Sequence, residues 1–245
     1  RVGESHSRTS LELPGRQQQL LEALHATGVP VVLVLINGQP LTVNWAAQNV
    51  PAILEGWFPS VEGGTAIAET LFGDYNPGGK LTITFPRSTG QIELNFPYKK
   101  GSHGAQPRKG PNGGGVTRVL GSIYPFGYGL SYTTFDYGTV RLDRETLRRG
   151  ERLTAEVEVT NGGAMDGKET VMWFLSDPTA SISRPVRELK YFEKQFIPAG
   201  ESRVFRFEID PERDLSFPDH TGKRLLENGT FYLHVNGQKV KFELI

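Results

Sequence analysis

Ile123-Tyr-Pro-Phe-Gly-Tyr-Gly-Leu-Ser-Tyr-Thr-Thr-Phe135 sets Tyr124, Phe126, Tyr128, Tyr132 and Phe135 around one proline and two glycines. Gly127 and Gly129 break any helical period. Glycine admits positive φ, so the chain can turn sharply here while its rings stay buried. Upstream of this stretch, helix-like and strand-like segments alternate; downstream, only strand patterns occur. Two readings are open, a rigid aromatic joint between two domains or the aromatic edge of a single core. The change of pattern across the stretch favours the joint.

Working back from the joint, residues 15–27 carry Leu20, Leu21, Ala23 and Leu24 at helical spacing, with Gly28 as a stop. Residues 31–36, Val-Val-Leu-Val-Leu-Ile, are apolar on both faces, as a central parallel strand is when helices cover both sides of its sheet. A short helix is predicted over 45–49, a strand over 52–56, and a second clear helix over 63–72 closed by Gly73. Asp74-Tyr-Asn-Pro-Gly-Gly79 is turn chemistry, and 81–85 is predicted as a further strand. Alternating α and β implies a parallel sheet with right-handed crossovers. About three strands are few for such a domain, so further strands are expected before Arg1. The only methionines are Met165 and Met172, and Arg1 opens in a polar loop, so the sequence reads as part of a longer product. Residues 98–120 are glycine-rich and basic. They suit either a mobile rim over an active site or a surface excursion.

Working forward, Leu153, Ala155, Val157 and Val159 alternate with Arg152, Thr154, Glu156 and Glu158. Phe205, Phe207 and Ile209, then Phe231, Leu233 and Val235, then Val240, Phe242 and Leu244 repeat the pattern. Period two with one wet face marks an antiparallel sandwich. Asn161-Gly162 and Asn236-Gly237 are predicted hairpin turns. A span of about 105 residues fits an immunoglobulin or fibronectin type III architecture. The expected division is an α/β portion over 1–97, a glycine-rich loop and aromatic joint over 98–136, and a β-sandwich over 137–245. The fold class is α/β then all-β: an incomplete α/β sandwich with a mostly parallel sheet, followed by a fibronectin type III or immunoglobulin-like β-sandwich.

Composition narrows the chemistry. The 27 basic and 27 acidic residues balance, so no global field favours nucleic acid or an anionic membrane. With no cysteine, disulfides and thiolate metal sites are excluded. No apolar run approaches the ~18 residues of a membrane span. There is no Gly-x-Ser-x-Gly, no phosphate-binding loop and no metal-spaced histidine pair. An α/β-hydrolase or nucleotide-binding domain therefore lacks its fingerprints, and no metal or cofactor is expected. Asp177, Asp210 and Asp214 suit turn or capping roles, and His25 and His234 suit structural ones. Glu62 precedes a helix start, where the helix dipole favours an anion. Glu4, in Gly3-Glu-Ser-His-Ser-Arg8, could be a proton donor at the rim of an α/β sheet, its pKa set by burial and partners. Spacing alone favours an exposed loop glutamate paired with Arg8.

Four stretches together resemble the C-terminal portion of glycoside hydrolase family 3 enzymes of the β-glucosidase type. They are Gly3-Glu-Ser-His-Ser-Arg-Thr9 with Leu13-Pro-Gly15; Val31-Val-Leu-Val-Leu-Ile-Asn-Gly-Gln-Pro40; Gly56-Trp57 through Glu62-Gly-Gly64 to Phe72-Gly-Asp-Tyr-Asn-Pro-Gly-Gly-Lys-Leu81; and the aromatic joint. Ser176-Asp-Pro178, Ser183-Arg-Pro-Val186 and Glu188-Leu-Lys-Tyr-Phe-Glu193 resemble that family's fibronectin type III-like domain. The resemblance covers nearly all of the chain except 98–120.

It implies a retaining, exo-acting β-glycosidase whose aspartate nucleophile sits in an N-terminal (β/α)8 barrel. Glu4 stands where the family's acid/base glutamate stands, Arg8 matches its Glu-x-x-x-Arg spacing and would orient the loop, and His6 would meet the leaving-group side. The implied partners are the upstream barrel and a β-linked oligosaccharide or aryl glycoside, with no nucleic acid and no membrane. A periplasmic or secreted location is favoured by the same resemblance. Without the barrel the chain alone is expected to be inactive. The rival reading is a non-catalytic carbohydrate-binding or scaffolding fragment. Against it, Phe205, Phe207, Phe231 and Phe242 occupy inward positions of alternating strands, which is core rather than a sugar platform.

Overall fold

The computed structural model describes residues 8–91, 94–99 and 121–245. The expected glycine-rich excursion lies outside the described residues, apart from Tyr98 and Lys99. The chain separates into two compact units. The first takes described residues up to Tyr75, those within 81–96, and those within 121–128; the second takes 76–80, 97–99 and 129–245. The division within the aromatic stretch falls between Tyr128 and Gly129.

In the first unit the α/β alternation is present. Helix α1 (Gln17–His25) leads to strand β1 (Val32–Leu35), helix α2 (Asn44–Asn49), strand β2 (Ala52–Glu55) and helix α3 (Gly63–Phe72). Strands β1 and β2 pair in parallel, Val32 opposite Ala52 through Leu35 opposite Glu55. Helix α3 stops where Gly73 takes a left-handed φ of +85°, which costs glycine nothing. Leu21, Leu35, Leu41, Val43, Ala46, Val50 and Phe85 form the core. On the other side of α1 and β1, Leu20, Leu24, Val32 and Ile36 remain exposed.

The predicted strand over 81–85 is corrected. Strand β3 is only Phe85–Pro86 and pairs antiparallel with β4 (Ser122–Tyr124), outside the parallel pair. The reason lies in the bonds of Leu81: its N–H donates to Tyr128 O (2.8 Å) and its carbonyl accepts from Gly127 N (2.7 Å). The segment is therefore committed to the aromatic stretch. There Tyr124 stacks on Tyr128 at 4.9 Å, and Phe126 on Phe96 at 4.5 Å. The expectation that all of these rings are buried is also corrected, since Tyr128 and Tyr132 are exposed.

The second unit is a sandwich, antiparallel except where β15 pairs in parallel with β7. Its strands are β5 (Phe135–Tyr137), β6 (Arg141–Leu142), β7 (Thr146–Leu147), β8 (Leu153–Asn161), β9 (Gly167–Ser176), β10 (Glu188–Ile197), β11 (Ser202–Ile209), β12 (Phe217–Pro218), β13 (Arg224–Leu225), β14 (Gly229–Val235) and β15 (Gln238–Leu244). One sheet runs β10-β9-β14-β15-β7, the other β11-β8-β5 with β6 also on β8. Trp173, Phe205, Phe207, Phe231, Phe242 and Ile209 fill the space between them, at the inward positions that the alternation marked.

Asn236-Gly237 makes the expected hairpin between β14 and β15, both residues at positive φ (43° and 80°) as a type I′ turn requires. Asn161-Gly162 does not, because β8 and β9 belong to different sheets. The Asn161 side chain is fully buried and fastens the corner. Its amide N–H groups donate to Met165 O and Ile197 O, both at 2.9 Å, and its oxygen accepts from Thr133 Oγ1 at 2.5 Å. A residue that satisfies these three groups in the interior is not available for a two-residue turn.

Candidate active site

Of the residues singled out in sequence, Glu4 and His6 lie outside the described residues, and Arg8 lies within them. Its Nη2 donates to Glu12 O at 2.6 Å. The following residues are tied down on both sides: Leu11 N–H donates to Thr89 Oγ1 (3.3 Å), and Leu11 O accepts from Thr42 N–H (2.9 Å). Leu13 packs against the first unit's core. Residues 8–13 are thus anchored in the first unit. Arg8 also borders a cavity of about 420 Å³ beside α1 and β1, whose walls include Leu20, Leu24, Val32 and Ile36.

A second group stands at the carboxyl ends of β1 and β2, the edge of a parallel sheet at which ligands commonly sit. Glu55 Oε1 accepts from Trp57 N–H (2.8 Å), and Oε2 accepts from Asn37 Nδ2 (3.2 Å). Asn37 N–H donates to Trp57 O (3.2 Å), closing the ring of bonds. Burial pushes the Glu55 carboxyl above the usual carboxylate range, against the opposing pull of the Trp57 N–H and Asn37. Trp57 holds a left-handed φ of 51°, an uncommon state for a bulky residue. Its indole lies 5.9 Å from Phe85. The carboxylate therefore works as a clamp between two strand-end loops. Sequence reasoning passed over Glu55; the signal was a lone acid ending an apolar strand directly before Gly56-Trp57.

The remaining candidates, Glu62 excepted, have structural roles. Glu62 is exposed at the start of α3 and makes no side-chain cap. Asp210 caps Arg213 N–H at 3.1 Å, Asp214 accepts from Asp210 N–H, and Asp177 accepts from Thr179 N–H. His25 meets Trp45 edge-on, and His234 Nε2 bonds Ser176 Oγ at 2.7 Å. Among the described residues no group of three or more His, Asp or Glu side chains gathers as a metal site.

Comparison with known proteins places these features in a family. Residues 1–132 match the model of the glycosyl hydrolase family 3 C-terminal domain, and 169–239 match that of a fibronectin type III-like domain. The chain is 46% identical to the periplasmic beta-glucosidase of Salmonella typhimurium over 99% of its own length and 32% of that protein's. It is 40% identical to a beta-xylosidase of Formosa agariphila, covering 95% of this chain and 31% of that one. Among solved structures it is similar to the beta-glucosidase from Listeria innocua in complex with glucose, with a TM-score of 0.89 and 36% identity over 99% of this chain and 34% of that one. The chain thus spans about a third of the length of the curated relatives it matches.

Proposed function

Because the chain belongs to glycosyl hydrolase family 3, we propose that it is the C-terminal part of a retaining, exo-acting β-glycosidase of the β-glucosidase type. In this reading Glu4 is the general acid/base for hydrolysis of terminal β-glucosides, and the nucleophilic aspartate belongs to an upstream (β/α)8 barrel. The observation that supports it is the 46% identity, along almost the whole chain, to a protein named a periplasmic beta-glucosidase. The same relative supports a location outside the cytoplasm. A beta-xylosidase among the relatives marks β-xylosides as the competing substrate.

A retaining mechanism needs two carboxyl groups about 5–5.5 Å apart, one attacking carbon and one handling the proton. Glu4 protonates the departing glycosidic oxygen, then takes a proton from the water that releases the sugar. Arg8, bonded to Glu12 O, steadies the loop that carries Glu4, and His6 faces the leaving group. The upstream segment also covers the apolar wall of α1 and β1, where Leu20 and Ile36 stand exposed.

The test is Glu4→Gln and Glu4→Ala in the full-length enzyme. General acid/base catalysis contributes ~10²–10⁴ in rate, and a loss of that size is expected on a disaccharide. Aryl glycosides with good leaving groups should still glycosylate the enzyme almost normally, and azide should rescue Glu4→Ala. Near-normal hydrolysis of the disaccharide by either variant would remove Glu4 from the role. The 245-residue chain alone is expected to hydrolyse nothing.

A further inference from the structure

The two sheets of the sandwich turn very different faces outward. On the four-stranded sheet two outward arginines meet carboxylates across strands, Arg206 with Glu156 and Arg152 with Glu208. On the five-stranded sheet, register sets Met172 opposite Phe192, Thr170 opposite Lys194 and Lys168 opposite Phe196. Phe192 and Phe196 are 61% and 50% exposed. Lys168 and Lys194 are exposed too, and among the described residues neither forms an ion pair.

The cationic character continues across β14. The Arg187 guanidinium lies 4.5 Å over the Phe174 ring, and Lys239 Nζ lies 3.7 Å over Tyr232. Only at the margins are lysines matched by carboxylates: Lys190, at the β10 bulge, by Glu188 and Lys241 by Glu243. His234, between Arg187 and Lys239, is pushed down in pKa by burial and then by those two cations. The chain as a whole is neutral, so this is a local concentration of one sign beside exposed rings.

We propose that the outward face of β9, β10 and β14 binds an anionic polysaccharide, a chain carrying uronate carboxylates. The inference rests on the glycosidase reading above for its choice of a glycan. Phe192 and Phe196 stand about 13 Å apart along an extended strand, with Lys194 between them. Flat rings of this kind cover the C–H faces of pyranose units, while the ammonium groups meet the carboxylates. The rings differ from the inward phenylalanines of the sandwich core, so the face costs the core nothing. A bilayer is less well served, because membrane-seeking elements bury one whole apolar face beneath their cations. Here phenyl rings and lysines alternate at one level.

The test is binding of the full-length protein to polygalacturonate, by calorimetry and by affinity electrophoresis, beside a neutral β-glucan. Expected is retention by polygalacturonate alone, weakened roughly tenfold on raising salt to about 0.3 M. Lys168→Ala with Lys194→Ala, and separately Phe192→Ala with Phe196→Ala, should each weaken it by about tenfold. Lys168→Arg with Lys194→Arg should retain it. Hydrolysis of a small aryl β-glucoside should be the same in all variants. Absence of binding, equal binding to the neutral glucan, or tighter binding to single-stranded nucleic acid or anionic vesicles would overturn the proposal. So would undiminished binding by the alanine variants. Failure of the parent protein to cleave the aryl glucoside would instead count against the glycosidase reading, with polygalacturonate binding still measurable.

Discussion

The sandwich closes its inward apolar residues between its own two sheets, whereas the α/β unit leaves part of its own apolar residues uncovered. Trp173, Phe205 and Phe242 are at most 1% exposed, while Leu20 and Ile36 are 60% and 58% exposed. The contrast follows from the type of sheet. Antiparallel sheets need cover on one face only, so two of them suffice for each other. A parallel pair is apolar on both faces and needs layers on both. The core of the sandwich is therefore closed by its own sheets, while the α/β unit leaves an apolar wall exposed.

The largest expected effect lies in the closed unit. Phe205→Ala removes a fully buried ring and should cost about 3–5 kcal/mol of sandwich stability, read by chemical denaturation of the 245-residue chain. A cost below about 1 kcal/mol would mean that the core is looser than its burial implies.

A second contrast is in pH response. Burial raises the Glu55 carboxyl in the first unit. The folded state then holds that proton more tightly than the unfolded chain. Its stabilisation is full below the ordinary glutamate range and is lost as pH rises through the raised value. Glu188 in the sandwich behaves oppositely: burial would raise it, but hydrogen bonds from Lys190 and Arg184 outweigh burial and bring it down. Its contribution is full above the ordinary range and is lost as pH falls through the lowered value. Melting profiles across acidic pH should show Glu55→Gln abolishing a loss on the rising side, and Glu188→Gln one on the falling side. Unchanged profiles in both variants would erase this distinction between the units.

The smallest effect in the isolated chain, and the most telling, is expected at the open wall. Leu20→Gln with Ile36→Thr should change its stability by no more than about 0.5 kcal/mol. In the full-length protein the same pair should cost about 2 kcal/mol or more, because buried apolar contacts are then lost. Equal small effects in both would show that nothing packs there.

Much of this was legible beforehand. Strict alternation in 153–159 and 205–209 names the inward residues, because side chains of a strand can face only two ways. The helices of 15–27 and 63–72 carry their own stops in Gly28 and Gly73. The strand over 81–85 was misjudged because its apolar pattern does not say which neighbour will accept Leu81, and the aromatic stretch does. Asn161-Gly162 has the composition of a hairpin, yet only the arrival of Thr133 and Ile197 beside it makes that asparagine an interior fastening. Glu55 was missed for a related reason: its clamp needs Asn37, distant in sequence.

The order of residues by itself determined the two kinds of patterning, the place where one gives way to the other, and the family motifs around Glu4, Trp57 and Arg184. Those depend on local periodicity and side-chain type, which one strand or helix carries alone. The tertiary structure alone decided which strand ends Glu55 joins, which sheet each long strand enters, and that Lys168 and Lys194, without an ion pair among the described residues, lie beside exposed rings on one face. Such outcomes depend on hydrogen-bond partners and charges brought together from far along the chain, and no periodicity encodes that meeting.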